Sequence, residues 1–180
     1  MLYTRKGDKG DTSTFGSCQR FSKNSVLAEA LGSIDEINSL LGVCKVKAAD
    51  FDFKINDFFI REIISKVQEN LFIIQANIAG ADKKISRENI KFLEETTDAI
   101  EKSLPPIKSF FVSGGTEISA LLDYSRAVSR RAERRAVSLA ETKKTDEEIL
   151  AYLNRLSSLL YALARFVNFK SDKRENSPKY

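Results

Sequence analysis

The stretch TRKGDKGDTSTFG, Thr4 to Gly16, combines three glycines with hydroxyls and cations. Glycines let a backbone turn so that several N–H groups face one anion, and Thr12, Ser13 and the lysines add donors and charge, a chemistry suited to phosphate. The GxxxxGK[ST] order of a Walker loop is missing, and a flexible polar N-terminus accounts for the same composition. A second group is SRAVSRRAERRA, Ser125 to Ala136. On a helix advancing ~100° per residue, Arg126, Arg130 and Glu133 fall within about 60° of one another, while Leu121, Val128, Ala132 and Leu139 take a different arc. The charged stripe flanks the apolar one, as a solvated face with Glu/Arg pairs also would.

Polar residues at the edges of other apolar runs form a third group. Asp35 lies beside Leu31 and Asn38, and Asn154, Tyr161 and Arg165 share a flank of the last run. A carboxylate at the margin of a buried face calls for a cationic partner, because burying it unpaired is costly, and an arginine of the 126–135 stripe is the candidate. A structural ion pair would satisfy the same need. The chain has no histidine, which removes the commonest transition-metal ligand, the Ser-His and Cys-His nucleophiles and the usual acid/base at neutral pH. Cys18 and Cys44 are too few and too far apart for a disulfide framework or metal knuckle, and are read as reduced thiols.

Five helices are expected to position these groups. From Asn24 to Lys45, Leu27, Ala30, Leu31, Ile34, Ile37 and Leu41 recur at helical spacing. A second run, Ile60 to Ile78, is apolar enough to suggest the central, most buried helix. Ser86 can cap a third helix that Pro105 and Pro106 stop. Phe110 to Gly115 reads as a short strand-like piece with a glycine turn, and Thr116 can cap a fourth helix running to about Ala140. Thr145 and Glu148 form a capping-box pattern before the fifth helix, Ile149 to Val167; the tail after Lys170 is expected to fray. Short connections without strand alternation predict an all-α, antiparallel five-helix bundle.

At 180 residues the chain suits one domain: a glycine-bearing N-terminal loop at 1–23, a bundle at 24–170 and a flexible tail at 171–180. No run of ~18 apolar residues offers a membrane span, and the polar, basic N-terminus resembles neither a signal peptide nor a lipid anchor. A cytoplasmic protein is expected. The net charge of +4 suits an anionic small ligand at least as well as nucleic acid.

Taken in order, TRKGDKGDTSTFG, RFSK (Arg20 to Lys23), EALGSIDEINSLLG around Asp35, FFVSGG at Phe110, RAVSRRAERR at Arg126 and NRLSSLLYALAR from Asn154 resemble the ATP:cob(I)alamin adenosyltransferases of the propanediol-utilisation type. The ordered set spans most of the chain. The resemblance implies a homotrimeric five-helix bundle holding ATP between neighbouring subunits, with the N-terminal loop folded over the nucleotide. Thr4, Arg5, Lys6, Gly7, Thr12, Ser13 and Lys23 would then meet ATP from the loop. Arg130, Arg131, Ala132, Glu133, Arg134 and Asn154 would meet it from the helices. Arg126 would pair with Asp35, and both would join Phe110 at the corrinoid, with Phe110 beneath the ring; with Arg130 these form the implied catalytic set.

The implied reaction is attack of cob(I)alamin on the 5′ carbon of ATP with loss of triphosphate, which needs no protein nucleophile. Mg²⁺ would be held largely by phosphate oxygens and water. A reductase and an adenosylcobalamin-dependent client enzyme are implied partners; nucleic acid and membrane are not. Ser113 stands where the family usually has proline, which predicts a less rigid pocket wall, and Ser158 where it often has aspartate. Two rivals remain at this point: a nucleic-acid-binding module tracking phosphates with RRAERR, and a trimer that binds ATP without chemistry.

Overall fold

The computed structural model describes residues 3–14 and 18–179. Phe15 and Gly16 of the glycine-bearing motif lie outside the described residues. Five helices carry the fold: α1 (Val26–Ala48), α2 (Ile60–Ile78), α3 (Arg87–Ser103), α4 (Glu117–Ala140) and α5 (Glu147–Lys170). Two antiparallel hairpins of two-residue strands supplement them. β1 (Asp11–Thr12) pairs with β2 (Phe21–Ser22) in the N-terminal arm, and β3 (Lys54–Ile55) with β4 (Phe58–Phe59) between α1 and α2. Neither hairpin is foreseen from the sequence, because so short a strand has no periodicity to read.

Local chemistry sets most helix ends. The Ser25 hydroxyl accepts from the Ala28 N–H at 3.2 Å. At α4, Thr116 Oγ1 accepts from the Ser119 N–H at 3.1 Å while Ser119 Oγ accepts from the Thr116 N–H at 3.0 Å, a reciprocal cap worth about 1 kcal/mol. Leu104 is extended, as a residue before proline must be, and α3 stops there. The expected Thr145/Glu148 box is not made. Asp146 is the N-cap residue of α5, with its carboxylate accepting from Asn77 Nδ2 at 3.0 Å, while the Thr145 hydroxyl donates to the Lys143 carbonyl at 3.1 Å.

Helix α1 packs on α2 and α4, and α5 on α4 and α3. A polar chain crosses the interior: Asn89 Nδ2 donates to Asn70 Oδ1 at 3.0 Å, and Asn70 Nδ2 to the Tyr152 hydroxyl at 3.2 Å, joining α3, α2 and α5. Burial pushes the Tyr152 phenol well above its ordinary range, so it stays protonated. Cys44 is likewise buried, against the Ser125 hydroxyl at 3.3 Å, and burial raises its thiol. The central helix is α5, not α2. Between Leu159 and Asn168 every residue of α5 is buried except the half-buried Tyr161, whereas the buried apolar residues of α2 form a single stripe and Phe72 is exposed. Among the described residues no helix is long and apolar enough to cross a membrane.

Two segments depart from expectation near the end of α5. Residues 110–115 form no strand; the Val112 N–H donates to the Asn176 carbonyl at 2.8 Å, and the Ser109 and Ser177 hydroxyls stand 2.7 Å apart. The tail expected to fray therefore lies back along this loop.

Candidate active site

The loop from Leu104 to Thr116, together with α4 and α5, walls a cavity of about 640 Å³. It brings together Phe110 from the loop, Asp123, Arg126 and Arg130 from α4, and Ser158 and Tyr161 from α5. Phe110 is 78% exposed, which rules out the reading of a core aromatic and puts its ring on the cavity rim. The loop ends in Gly114 and Gly115, both with φ in the left-handed region. A Cβ on Gly115 would collide with the Asn168 side-chain amide, so the position needs glycine twice over. Asn168 uses this closeness: its Nδ2 donates to the Gly114 carbonyl at 2.8 Å and its Oδ1 accepts from the Thr116 N–H at 3.2 Å.

Asp123 and Arg126 form the polar floor, 3.7 Å apart from Oδ1 to Nε. That is an ion pair too long for a hydrogen bond, and the buried Arg126 Nε has no hydrogen-bond partner among the described residues. Burial raises the Asp123 carboxyl above its ordinary value, opposed by the Arg126 charge and by hydrogen bonds from Ser113 and the Gly114 backbone. The Tyr161 phenol is also raised, first by burial, with Arg165 opposing. The Arg126 guanidinium lies 5.9 Å from the Tyr161 ring centre.

Helix α4 divides its arginines between two neighbours. Arg126 and Arg130 face the cavity, while Arg131 pairs with Glu36 and Arg135 with Glu29 at 3.1 Å, both on α1. Glu133 accepts from Asn154 Nδ2 at 2.9 Å, and Asn154 Oδ1 accepts from Arg155 at 2.7 Å, so two residues expected at the nucleotide do meet. Arg134 is exposed. Ala132 is fully buried in the core, so its side chain cannot contact a ligand, contrary to expectation.

The N-terminal arm is folded on itself. Arg20 grips the Asp11 carboxylate through Nε and Nη2, each at 2.7 Å, and Nη2 also reaches the Lys6 carbonyl at 2.6 Å. This contact depresses the Asp11 carboxyl. Lys23 Nζ donates to the Gly7 carbonyl at 2.8 Å, and the Lys6 N–H lies 3.4 Å from Thr4 Oγ1. Arg5 has a positive φ and holds its guanidinium 5.4 Å from the Tyr3 ring. Thr12 sits in β1, and Ser13 is exposed just after it. These residues come together with one another, but none lines the cavity that holds Arg130.

The expected Asp35–Arg126 pair is not made within the chain. Asp35 is exposed, in a shallow, mainly apolar depression with Phe72 and Gln75, and the α1–α4 ion pair near it belongs to its neighbour Glu36. The burial argument fails because Asp35 is not buried in one chain. Asp123 was overlooked as the partner of Arg126, although its three-residue offset is a legible signal. The sequence marks Arg20 only as part of RFSK and Arg165 only as a flank residue; their partners lie nine and ten residues away, in a two-residue strand and in the irregular tail, where spacing gives no signal.

Fold and site together are those of a helical bundle with an arginine-floored cavity under an aromatic rim and a separate glycine-bearing cationic arm. Residues 2–167 match the family model Cobalamin adenosyltransferase, and the chain belongs to that family. It is 36% identical over 174 residues to the Corrinoid adenosyltransferase of Bacillus subtilis, covering 94% of this chain and 88% of that one. Identity to the human Corrinoid adenosyltransferase MMAB is 33%, covering 97% of this chain and 71% of that protein. The chain spans only 48% of Corrinoid adenosyltransferase PduO from Salmonella typhimurium, at 37% identity over 91% of this chain. A solved variant of the PduO-type ATP:corrinoid adenosyltransferase from Lactobacillus reuteri, complexed with cobalamin and ATP, superposes with a TM-score of 0.88 at 28% identity, over 100% of each chain.

Proposed function

We propose that this chain transfers the 5′-deoxyadenosyl group of ATP to cob(I)alamin, releasing triphosphate and forming adenosylcobalamin. The observation that carries the reading is the cavity in which Phe110, Arg126 and Arg130 meet. Its exposed aromatic rim suits the lower face of a corrin, and its cationic edge suits an anion placed beside it.

In the reaction, the electron pair of Co(I) forms the cobalt–carbon bond while the C5′–O bond breaks and triphosphate leaves with its electrons. The protein's task is to align the reactants and stabilise charge on the leaving group, for which a site without histidine suffices. Arg130 is placed to receive phosphate. Lys23 and the loop amides add donors once the ammonium leaves the Gly7 carbonyl. Phe110 keeps water and the corrinoid's own base from the lower face of cobalt, which eases its reduction. Mg²⁺ would arrive with the nucleotide, held by phosphate oxygens and water.

Closure of the site between subunits of a homotrimer is supported by two features. No arm residue among those described lines the Arg130 cavity, and Asp35 stands exposed beside Phe72, which is itself 63% exposed, where a neighbour's Arg126 can reach it. A cytoplasmic location, a reductase and a client enzyme complete the reading. The nucleic-acid alternative is disfavoured because Arg131 and Arg135 are already engaged by Glu36 and Glu29. The decisive experiment is incubation with ATP, Mg²⁺ and chemically reduced cobalamin. The expected result is the visible spectrum of adenosylcobalamin with equimolar triphosphate; an unchanged corrinoid would end this reading.

A further inference from the structure

We propose that Glu175 is a positioning residue for corrinoid handling, acting through Arg165 on the wall that carries Phe110; this rests on the reading of the cavity as the corrinoid site. Arg165 comes from the buried face of α5. Its Nε meets the two Glu175 carboxylate oxygens at 2.9 and 3.2 Å, and its Nη2 meets Oε2 at 3.0 Å and the Pro105 carbonyl at 3.2 Å. The same guanidinium lies 5.1 Å from the centre of the Phe111 ring. One cation therefore ties the start of the loop, its middle and the tail.

The side chains of Arg165 and Glu175 are only 7% and 20% exposed, so the pair is shielded from the solvent screening that weakens surface ion pairs. Fixing Glu175 brings the next two residues to the loop. Asn176 receives the Val112 N–H at 2.8 Å, and Ser177 meets Ser109 at 2.7 Å. Only a void of about 10 Å³ separates Phe111 and Val112 from α4, α5 and Glu175, so the loop is packed closely on this side. Phe110 itself, exposed on the rim, has its orientation set by its chain neighbours: Ser109 held by Ser177, Phe111 stacked on Arg165. Neither Arg165 nor Glu175 lines the cavity, so they act by placing Phe110 and not by touching substrate.

The test compares wild type with Glu175→Gln, Glu175→Asp and a chain ending at Lys173. It reads KM for cobalamin and for ATP, the spectrum of cob(II)alamin with ATP present, and the melting temperature. Glu175→Gln keeps the shape and removes the charge; the expected result is a rise of about fivefold or more in the corrinoid KM and a smaller fraction of cob(II)alamin lacking its lower ligand, with the ATP KM within about twofold. The charge-keeping Glu175→Asp should recover most of the loss, and the shortened chain should lose at least as much as Glu175→Gln. Unchanged corrinoid KM and spectrum in a folded Glu175→Gln protein overturn the proposal, as does an equal rise in both KM values, which would mark general loosening. If the shortened chain does not fold, Glu175→Gln decides. Failure of wild type to turn over cobalamin would instead fell the underlying reading of the cavity.

Discussion

The loop at 104–116 and the arm at 3–14 each present residues expected at a ligand, but they are supported in opposite ways. The loop is held by buried groups on α5: Asn168 clasps Gly114 and Thr116, and Arg165 reaches Pro105. The arm is held by its own exposed cations, with Arg20 on Asp11 and Lys23 on a backbone carbonyl. Buried contacts fix a wall before a ligand arrives, whereas exposed ion pairs are weak and easily exchanged for an anion. The molecule thus pairs a preformed surface for the large apolar ligand with a cover that can rearrange around the charged one.

Arg130 stands where the two supports should meet, and its loss gives the largest expected effect. Arg130→Ala should lower adenosyl transfer by about 10²–10³-fold, the range for losing one donor to developing charge. Because Arg130 is exposed, its melting temperature should stay within about 2 °C of wild type. Wild-type-like turnover would remove Arg130 from the site.

Breaking the wall comes next. Phe110→Ala should slow reduction of cob(II)alamin about tenfold or more while ATP affinity stays near wild type; equal loss of both would deny the ring its separate role. Gly115→Ala forces a strained φ and a clash with Asn168, and should cost about 2 kcal/mol, roughly 4–8 °C of melting temperature. A stable Gly115→Ala protein with an unaltered corrinoid KM would show that the wall is not fixed from that end.

The arm should respond more gently. Arg20→Ala is expected to raise the ATP KM about two- to fivefold with the melting temperature and corrinoid KM nearly unchanged. The smallest effect is a titration. Because Arg20 depresses Asp11 in the folded arm, the pair is complete above the ordinary carboxyl value of 3.8 and is lost as pH falls through the lower folded value. An NMR titration should place the Asp11 midpoint below 3.8 in wild type and return it toward 3.8 in Arg20→Ala; coincident midpoints would show that the arm is not held this way.

Features fixed by neighbours in sequence were legible beforehand. Ser25 and Thr116 cap α1 and α4 because capping is decided within one turn, and the amphipathic stripes placed all five helices. Arg126 and Arg130 could be put on one side of α4 from spacing alone. What failed depends on tertiary contact. Asp35 looked like a buried-edge carboxylate until the exposed surface of α1 was known, and the isoleucine-rich α2 looked central because hydropathy does not report how many sides of a helix are covered. The tail seemed free because Glu175 finds Arg165 only once α5 has brought it beneath the loop.

The bridge between Arg131 and Glu36 carries a consequence for α4 as a whole. Adjacent residues on a helix differ in azimuth by ~100°, so a helix that seats Leu122, Val128, Ala132 and Leu139 in the core presents Arg131 to α1 and Arg130 to the cavity at the same time. Glu36 thereby neutralises a cation that points away from the cavity, and the positive charge of Arg130 stays on the side that a ligand can reach.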